Sequence, residues 1–295
     1  RQAGEGRAEI VDRGDGVHGS GSGPGFPGLF TPCGRRRNPR KPNAMRRITQ
    51  PFRDIATALA LLTRIPIRAR FDRTAQASWA WPLAGLPVAL LAWALGMVAL
   101  AIGLPPTVAA GVVLAAQMIL TGAMHEDGLA DCADGFWGGF DRDRRLAIMR
   151  DSQVGSYGVL ALILSLGLRW AALVPLMDLG PWQAGAALFA VSLLSRASML
   201  GVAAALPHAR DDGLSKTTGR PTPRAALVGI VLAVAITVAA LGAASLAPIA
   251  AATLAAALAA LIARAKIGGQ TGDVLGATQQ LAEFAALAAL CATLP

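Results

Sequence analysis

Charged residues are scarce in this sequence. They make up 15% of the 295 residues, whereas 54% are hydrophobic and the mean hydropathy is +0.50. An ordinary soluble domain has about 25% charged residues. The apolar residues also fall in long runs, which is typical of helices that cross a bilayer. The composition therefore argues against a soluble globular domain.

Cysteine and aromatic residues are also few. Cys33, Cys132 and Cys291 are far apart and odd in number, which excludes a disulfide framework and matches no zinc-site spacing. Aromatic residues make up only 5%, and the net charge is +9. Because the basic residues flank apolar runs instead of forming a stripe with aromatics, we expect no nucleic-acid partner.

The first 44 residues differ from the rest. They are rich in Gly, Pro and Arg, and no apolar run follows their basic residues, which excludes a secretory signal. We expect 1–44 to be a disordered extension that lies upstream of a start at Met45. The alternative is a basic tail that touches anionic lipid. The domain embedded in the membrane is then 45–295.

Long apolar runs predict an all-α, polytopic membrane protein with about six to seven transmembrane helices. Residues 54–66 are too short to span and are expected to be interfacial or re-entrant. The predicted spans are about 79–102, 105–124, 157–177, 182–206, 225–247, 249–263 and 277–294.

The basic residues predict the orientation. Of the 19 Arg and Lys after Met45, seven lie in 46–73, four in 142–150, four in 210–224 and two in 264–266. The opposite loops carry none. By the positive-inside rule, the N-terminus and the polar loops are cytoplasmic, in a multi-pass protein of the inner membrane.

An acidic motif follows the second predicted span. Asp127, Asp131 and Asp134 are spaced i, i+4, i+7, which places them on one stripe of a helix. Three aligned carboxylates repel one another, and a bound Mg²⁺ would remove that cost, since it prefers oxygen ligands and phosphates. The alternative is a solvated helix end whose acids pair with nearby arginines. The motif therefore predicts a metal site with Mg²⁺ as the cofactor.

Polar turns on the same side could complete the site. Arg150 could hold a phosphate, and Asp151 could bind metal or cap a helix. The turn 268–273 has a Gly-Gly-x-Thr-Gly sequence whose backbone N–H groups could cradle phosphate, and Asp273 could complete the metal site. An ordinary loop remains the alternative for each.

Further cations are candidate phosphate contacts. Lys216 lies in a loop that could cover the site, and Lys266 precedes the glycine turn. Arg196 lies within a predicted span, where a charge is costly unless it is paired. It could point at a phosphate or form a structural pair with Glu283.

Together these segments resemble the adenosylcobinamide-GDP ribazoletransferase, or cobalamin synthase, family. The resemblance rests on His-Glu-Asp-Gly-Leu-Ala-Asp-Cys-Ala-Asp-Gly at 125–135 and Ile-Met-Arg-Asp-Ser at 148–152. Leu-Thr-Arg-Ile-Pro at 62–66 and the Gly-rich segment 268–277 fit in order and position. It covers about 48–295.

The resemblance implies an enzyme that joins adenosylcobinamide-GDP to alpha-ribazole or its 5′-phosphate, with release of GMP. It implies corrinoid and nucleoside substrates, the lipid bilayer and other cobalamin-assembly enzymes as partners. The expected catalytic residues are Asp127, Asp131, Asp134 and Asp273, the first three as metal ligands. The expected substrate-binding residues are Arg150, Asp151, Arg196, Lys216, Lys266, Gly269, Thr271 and Gly272.

Two other classes fit the acidic motif less well. A CDP-alcohol phosphotransferase also uses aspartates on membrane helices, but its Ala-Arg pair after the first Asp-Gly is replaced here by Leu129-Ala130. A cation transporter would place its acids near the bilayer midplane, not at the edge of a span.

Overall fold

A computed structural model describes residues 44–293. The predicted extension at 1–44 therefore falls outside the described residues, apart from Ala44. Within the described range the chain is helical, with one isolated parallel β-bridge between His208 and Gln270. The all-α prediction is confirmed.

Twelve α-helices are formed within this range. They are α1 (Ala44–Leu62), α2 (Thr74–Ala77), α3 (Trp81–Ala101), α4 (Pro106–Thr121), α5 (Met124–Gly138), α6 (Arg142–Ile148), α7 (Ser156–Asp178), α8 (Pro181–Ala205), α9 (Leu214–Thr218), α10 (Pro223–Leu241), α11 (Leu246–Ile267) and α12 (Gly272–Thr293).

Five helical segments in the described range are long and apolar enough to cross a membrane, or six if α4 and α5 form one broken span. They include Thr74–Ala101 and the helices α7, α8 and α12. The fifth, Pro223–Ile267, is 45 residues long and divides into α10 and α11 at Gly242–Ser245. It therefore accounts for two of the predicted spans, and the multi-pass membrane architecture is confirmed.

The second predicted span, 105–124, differs from its prediction. Helix α4 has only 16 residues, about 24 Å of helix, which is less than a hydrocarbon core of about 30 Å. The chain then turns by 88° into α5. The acidic motif therefore lies on a separate helix.

The bend is set by two residues with left-handed backbone. Gly122 has φ +67° and Ala123 has φ +54°. The side chain of Arg64 occupies the space where a Cβ on Gly122 would lie. The backbone N of Arg64 also donates to the carbonyl of Leu120 at 2.7 Å. The segment that follows α1 therefore contacts the bend through both the backbone and the side chain of Arg64.

The entry segment also differs from its prediction. We expected a short interfacial or re-entrant piece at 54–66, whereas α1 begins at Ala44, continues through Pro51 and ends at Leu62. Residues 64–70 then run without helix towards α2. Pro51 lies inside α1, beyond the first four residues whose N–H groups have no partner in the helix, so it removes one intrahelical hydrogen bond.

Helices α8 and α12 form the interior of the bundle. Most of α8 is buried, between α3, α10, α11 and α12, and most of α12 is buried against α5, α8 and α11. Small residues permit the close packing: a Cβ on Gly85 of α3 would lie 2.8 Å from the carbonyl oxygen of Ser192 in α8. Helix α7 leaves much of its apolar surface exposed, as a helix facing lipid does.

Candidate active site

The acidic helix α5 crosses the start of α12 at very short distance. A Cβ on Gly128 would lie 2.7 Å from the carbonyl oxygen of Asp273, and a Cβ on Gly276 would lie 3.2 Å from Cα of His125. Glycine at both positions removes the side chains that would keep the two helices apart. The predicted meeting of Asp273 with the acidic motif is therefore observed.

Three carboxylates gather at this crossing. Asp127 is exposed and Asp131 half-buried, and the charges of Asp127 and Asp273 both act on Asp131. Neither Asp127 nor Asp131 has a side-chain hydrogen bond or ion pair with any residue in 44–293. Such uncompensated like charges raise the free energy of the folded chain unless a cation binds between them.

Asp134 lies in different surroundings. Its two carboxylate oxygens accept from the backbone N–H groups of Gly155, at 2.7 Å, and Gly158, at 2.9 Å. It therefore caps the start of α7. A Cβ on either glycine would collide with the carboxylate, which explains why glycine stands at both positions. The stripe of three aspartates thus divides into two free acids and one helix cap.

Ion pairs join the separate polar turns. Arg150 contacts both oxygens of Asp212, at 2.6 and 2.7 Å. Arg210 lies 3.6 Å from Asp212 and donates to Asp273 at 3.3 Å. These pairs connect the turn before α7, the loop 207–222 and the start of α12. From the sequence, Arg150 was a candidate phosphate contact, whereas Arg210 and Asp212 were only members of a charged loop that could cover the site.

The loop 207–222 is held on the turn before α12. The N–H of Gln270 donates to the carbonyl of Pro207 at 2.8 Å, and the N–H of Ala209 donates to the carbonyl of Gln270 at 2.9 Å. Pro207 also fills the space beside Gly269, so no side chain fits there. At Gln270, the backbone N–H predicted to cradle phosphate is used in this pairing instead.

His208 fixes the same contact through its side chain. Its Nδ1 accepts from the amide of Gln270 at 3.0 Å, and Ser215 donates to the other end of that amide at 2.6 Å. Burial and the charge of nearby Lys216 lower the pKa of His208, which favours the neutral ring that this bond needs.

Thr271 and Gly272 begin α12. The hydroxyl of Thr271 accepts from the N–H of Val274 at 3.3 Å and donates to Asp273 at 3.1 Å, so it caps the helix and orients the carboxylate. A Cβ on Gly272 would meet no atom within 4 Å, so open space lies beside this residue. Thr271 is therefore positioned to hold Asp273, and Gly272 to border a ligand.

Lys216 and Lys266 are already engaged. Lys216 pairs with Asp211 at 2.8 Å in exposed surroundings. The ammonium of Lys266 lies 5.5 Å from the ring centre of Trp137, a cation–π contact. The carbonyl of Lys266 accepts from Arg145 at 2.9 Å, which fastens α6 to the end of α11. Neither ammonium contacts the three carboxylates.

Asp151 and Arg196 also have structural contacts. Asp151 accepts from the backbone N–H of Gln153 at 3.1 Å, which closes a turn between α6 and α7 and caps neither helix. Arg196 is 2% exposed and donates to the hydroxyl and carbonyl of Ser192 in its own helix. Its burial gives no support to the predicted phosphate contact, and the pair with Glu283 belongs to another arginine.

That arginine is Arg169 of α7, which is 1% exposed. It pairs with Glu126 at 3.1 Å and with Glu283 at 2.6 Å. Gln280 and Gln117 accept further bonds from the same guanidinium. Since Glu126 precedes Asp127, this buried network fixes the rotation of α5. An arginine and a glutamate within predicted spans were the sequence signals, but they did not reveal the pairing.

The donor set fits a magnesium ion in its chemistry. Among residues 44–293, no three His, Cys, Asp or Glu side chains are close enough to form a ready metal cluster. Two carboxylates are nevertheless free, and Asp273 has one oxygen without a bonding partner. Mg²⁺ commonly takes one or two carboxylates and completes its shell with water and phosphate. Asp127, Asp131 and Asp273 meet that requirement.

Comparison with known proteins identifies the family. Residues 54–291 match the sequence profile of cobalamin-5-phosphate synthase. The chain belongs to the cobalamin-5-phosphate synthase family. The matched residues include the acidic motif, the bend that precedes it and the start of α12, so the site described above lies within the matched range.

Two curated relatives are both named adenosylcobinamide-GDP ribazoletransferase. The chain is 43% identical to the adenosylcobinamide-GDP ribazoletransferase of Sinorhizobium sp over 254 residues, which is 81% of this chain and 96% of the relative. It is 46% identical to that of Azorhizobium caulinodans over 246 residues, covering 79% and 93%. No solved structure matches the chain. This family membership favours neither the lipid enzyme nor the transporter.

Proposed function

We propose that the chain is an adenosylcobinamide-GDP ribazoletransferase that joins the corrinoid donor to alpha-ribazole or its 5′-phosphate. The observation that carries this proposal is the crossing of α5 and α12, where two free aspartates meet Asp273 beside open space at Gly272. The match over 54–291 and the shared name of the relatives support it.

The reaction transfers the adenosylcobinamide phosphate group from GMP to the acceptor. The 5′-hydroxyl of the ribose attacks the phosphorus on the cobinamide side of the diphosphate, and a new P–O bond forms. The bond between that phosphorus and the bridging oxygen breaks, and GMP leaves with the electron pair. The hydroxyl proton passes to solvent or to a carboxylate. The products are adenosylcobalamin, or its 5′-phosphate, and GMP.

We propose that Asp127, Asp131 and Asp273 hold Mg²⁺, which when bound would neutralise charge on the diphosphate. The guanidinium of Arg210 and the hydroxyl of Thr271 both donate to the carboxylate of Asp273. Arg150 is tied to this group through Asp212. Exchange of these arginines from carboxylate to phosphate would bring positive charge to the donor as it binds.

We also propose that this face is cytoplasmic and that the membrane is the inner membrane. The arginines of α6 and the loop 207–222 lie on the side of the bundle that carries the acids, as the positive-inside rule requires. Single cysteines placed at Asp143, in α6, and at Trp182, on the opposite side, test the orientation. We expect a membrane-impermeant thiol reagent added outside intact cells to label only the second, and labelling of the first would reverse the assignment.

The activity is tested with the purified chain in detergent. It is incubated with adenosylcobinamide-GDP, alpha-ribazole and Mg²⁺, and GMP and the cobalamin product are measured by chromatography. We expect equal amounts of both, with an ¹⁸O label in the ribose 5′-hydroxyl retained in the product. Absence of product from folded chain would reject the assignment, and CDP-linked lipid donors would be tested next.

A further inference from the structure

A narrow apolar pocket adjoins the acidic crossing. Side chains of α1, α3, α5, α8, α9 and α12 line it, and the space between them, including the open mouth, is about 400 Å³. Trp81, Met199, Leu62 and Leu275 form buried walls, and Leu214 forms an exposed edge. The reaction described above uses none of these side chains.

The pocket lies next to the carboxylates. Gly272 forms part of its lining, and the next residue is Asp273. Because a Cβ on Gly272 would meet no atom within 4 Å, the pocket is open at this point. A ligand with one apolar end and one polar end could therefore place the apolar end in the pocket and the polar end beside Asp273.

Helix α9 forms the outer wall of the pocket and is held in place by hydrogen bonds. Ser215 of α9 donates to Gln270 at 2.6 Å, and Thr74 donates to the carbonyl of Thr218 at 2.6 Å. Both bonds connect α9 to other segments of the fold. The pocket is therefore formed before a ligand arrives, as most small-molecule sites are.

One polar side chain in the lining lacks a partner. His125 is 2% exposed, and its Nε2 has no hydrogen-bond partner among the residues that the structure describes. Buried ring nitrogens are usually hydrogen-bonded, and an exception calls for an explanation. His125 is also one of the residues that line the pocket, so a ligand bound there would pack against it.

We propose that this pocket binds the flat aromatic base of the acceptor nucleoside and selects which base is accepted. The inference rests on the proposed function. The base of alpha-ribazole is a bicyclic benzimidazole with two methyl groups, which suits apolar walls, whereas its ribose belongs beside the acids. The guanine of the donor is the poorer occupant, because its several polar groups would lose their hydrogen bonds to water in such a pocket.

The test is a substitution at Gly272 that places a larger side chain in the pocket. A Cβ at position 272 meets no atom within 4 Å, and Gly272 lines the pocket, so Gly272→Leu adds an apolar side chain at the open part of the pocket wall. Gly167→Leu in α7 is the matched control, since a Cβ there also meets no atom within 4 Å and Gly167 lies outside the pocket. We expect Gly272→Leu to raise the KM for alpha-ribazole at least about tenfold, the lower range for a misfit in an apolar pocket. The KM for adenosylcobinamide-GDP should stay within about twofold, and Gly167→Leu should leave both unchanged.

Two further readouts separate this inference from the proposed reaction. Binding of alpha-ribazole without Mg²⁺, measured by equilibrium dialysis, should weaken by the same factor in Gly272→Leu. In Gly272→Leu, the affinity for the riboside of unmethylated benzimidazole should fall less than the affinity for alpha-ribazole, because the unmethylated base is smaller. If Gly272→Leu raised the KM for donor and acceptor equally, or left the KM for the acceptor unchanged, the base pocket would be overturned even if wild type makes cobalamin. Wild type that binds alpha-ribazole but makes no product would reject the reaction and leave the pocket standing.

Discussion

Asp131 and Asp134 lie less than one turn apart on α5 but have different surroundings. Asp131 has no bonding partner within 44–293, whereas both oxygens of Asp134 accept backbone N–H groups at the start of α7. The i, i+4, i+7 spacing predicted a shared stripe and could not show this division. It depends on the turn 151–155, which returns the chain to α5.

The cap predicts the effect of changing Asp134. Asp134→Ala should lower the free energy of unfolding by about 1.5–3 kcal/mol, because one buried and one partly buried hydrogen bond to a carboxylate are lost. Thermal unfolding in detergent measures this loss. Asp151→Ala is the control, since its bond to Gln153 is exposed. Equal stability of both variants would contradict the capping role.

Among the helices, the crossing of α5 and α12 determines where the carboxylates meet. The sequence shows glycine within the acidic motif and an acid after the Gly-Gly turn, which was expected to complete the metal site. It could not predict that Gly128 packs on the backbone of Asp273, since that depends on the 88° bend before α5. The bend itself needs a left-handed Ala123, a conformation that alanine rarely adopts and that no sequence pattern marks.

Gly128→Ala should separate the two helices. Its new Cβ would lie 2.7 Å from a backbone carbonyl, which cannot move aside as a side chain can. We expect a cost of about 1–3 kcal/mol from overpacking and at least a tenfold fall in turnover. Gly167→Ala, with no atom near its Cβ, is the control for both measurements. Full activity in Gly128→Ala would show that the close crossing is unnecessary.

The buried arginine network offers a second test at this scale. Arg169→Gln would leave Glu126 and Glu283 as unpaired buried charges, and we expect about 3–5 kcal/mol of destabilisation. The triple variant Arg169→Gln, Glu126→Gln, Glu283→Gln removes the charges together and should recover part of that loss. Unfolding in denaturant measures both. A triple variant less stable than the single one would contradict the electrostatic explanation.

At the scale of the whole molecule, composition was sufficient to predict the membrane class, and the sequence placed the polar loops together at one side of the bundle. The apolar runs located most helices, because bilayer thickness dictates their length. The exceptions are α4, which is too short alone, and α1, which is longer than expected. Contacts between distant loops, such as Arg150 with Asp212, arise only after the bundle has assembled.

The measurement that tests the central claim most directly is the magnesium dependence of cobalamin formation by wild type and Asp131→Asn. We predict that wild type loses turnover in EDTA and regains it with Mg²⁺. Asp131→Asn should be at least as thermally stable as wild type, because it removes one of the repelling charges. It should lose more than about a hundredfold in rate, since metal stabilisation of the transition state is worth several kcal/mol. Turnover that survives EDTA, or a folded Asp131→Asn variant with the wild-type rate, would contradict the account.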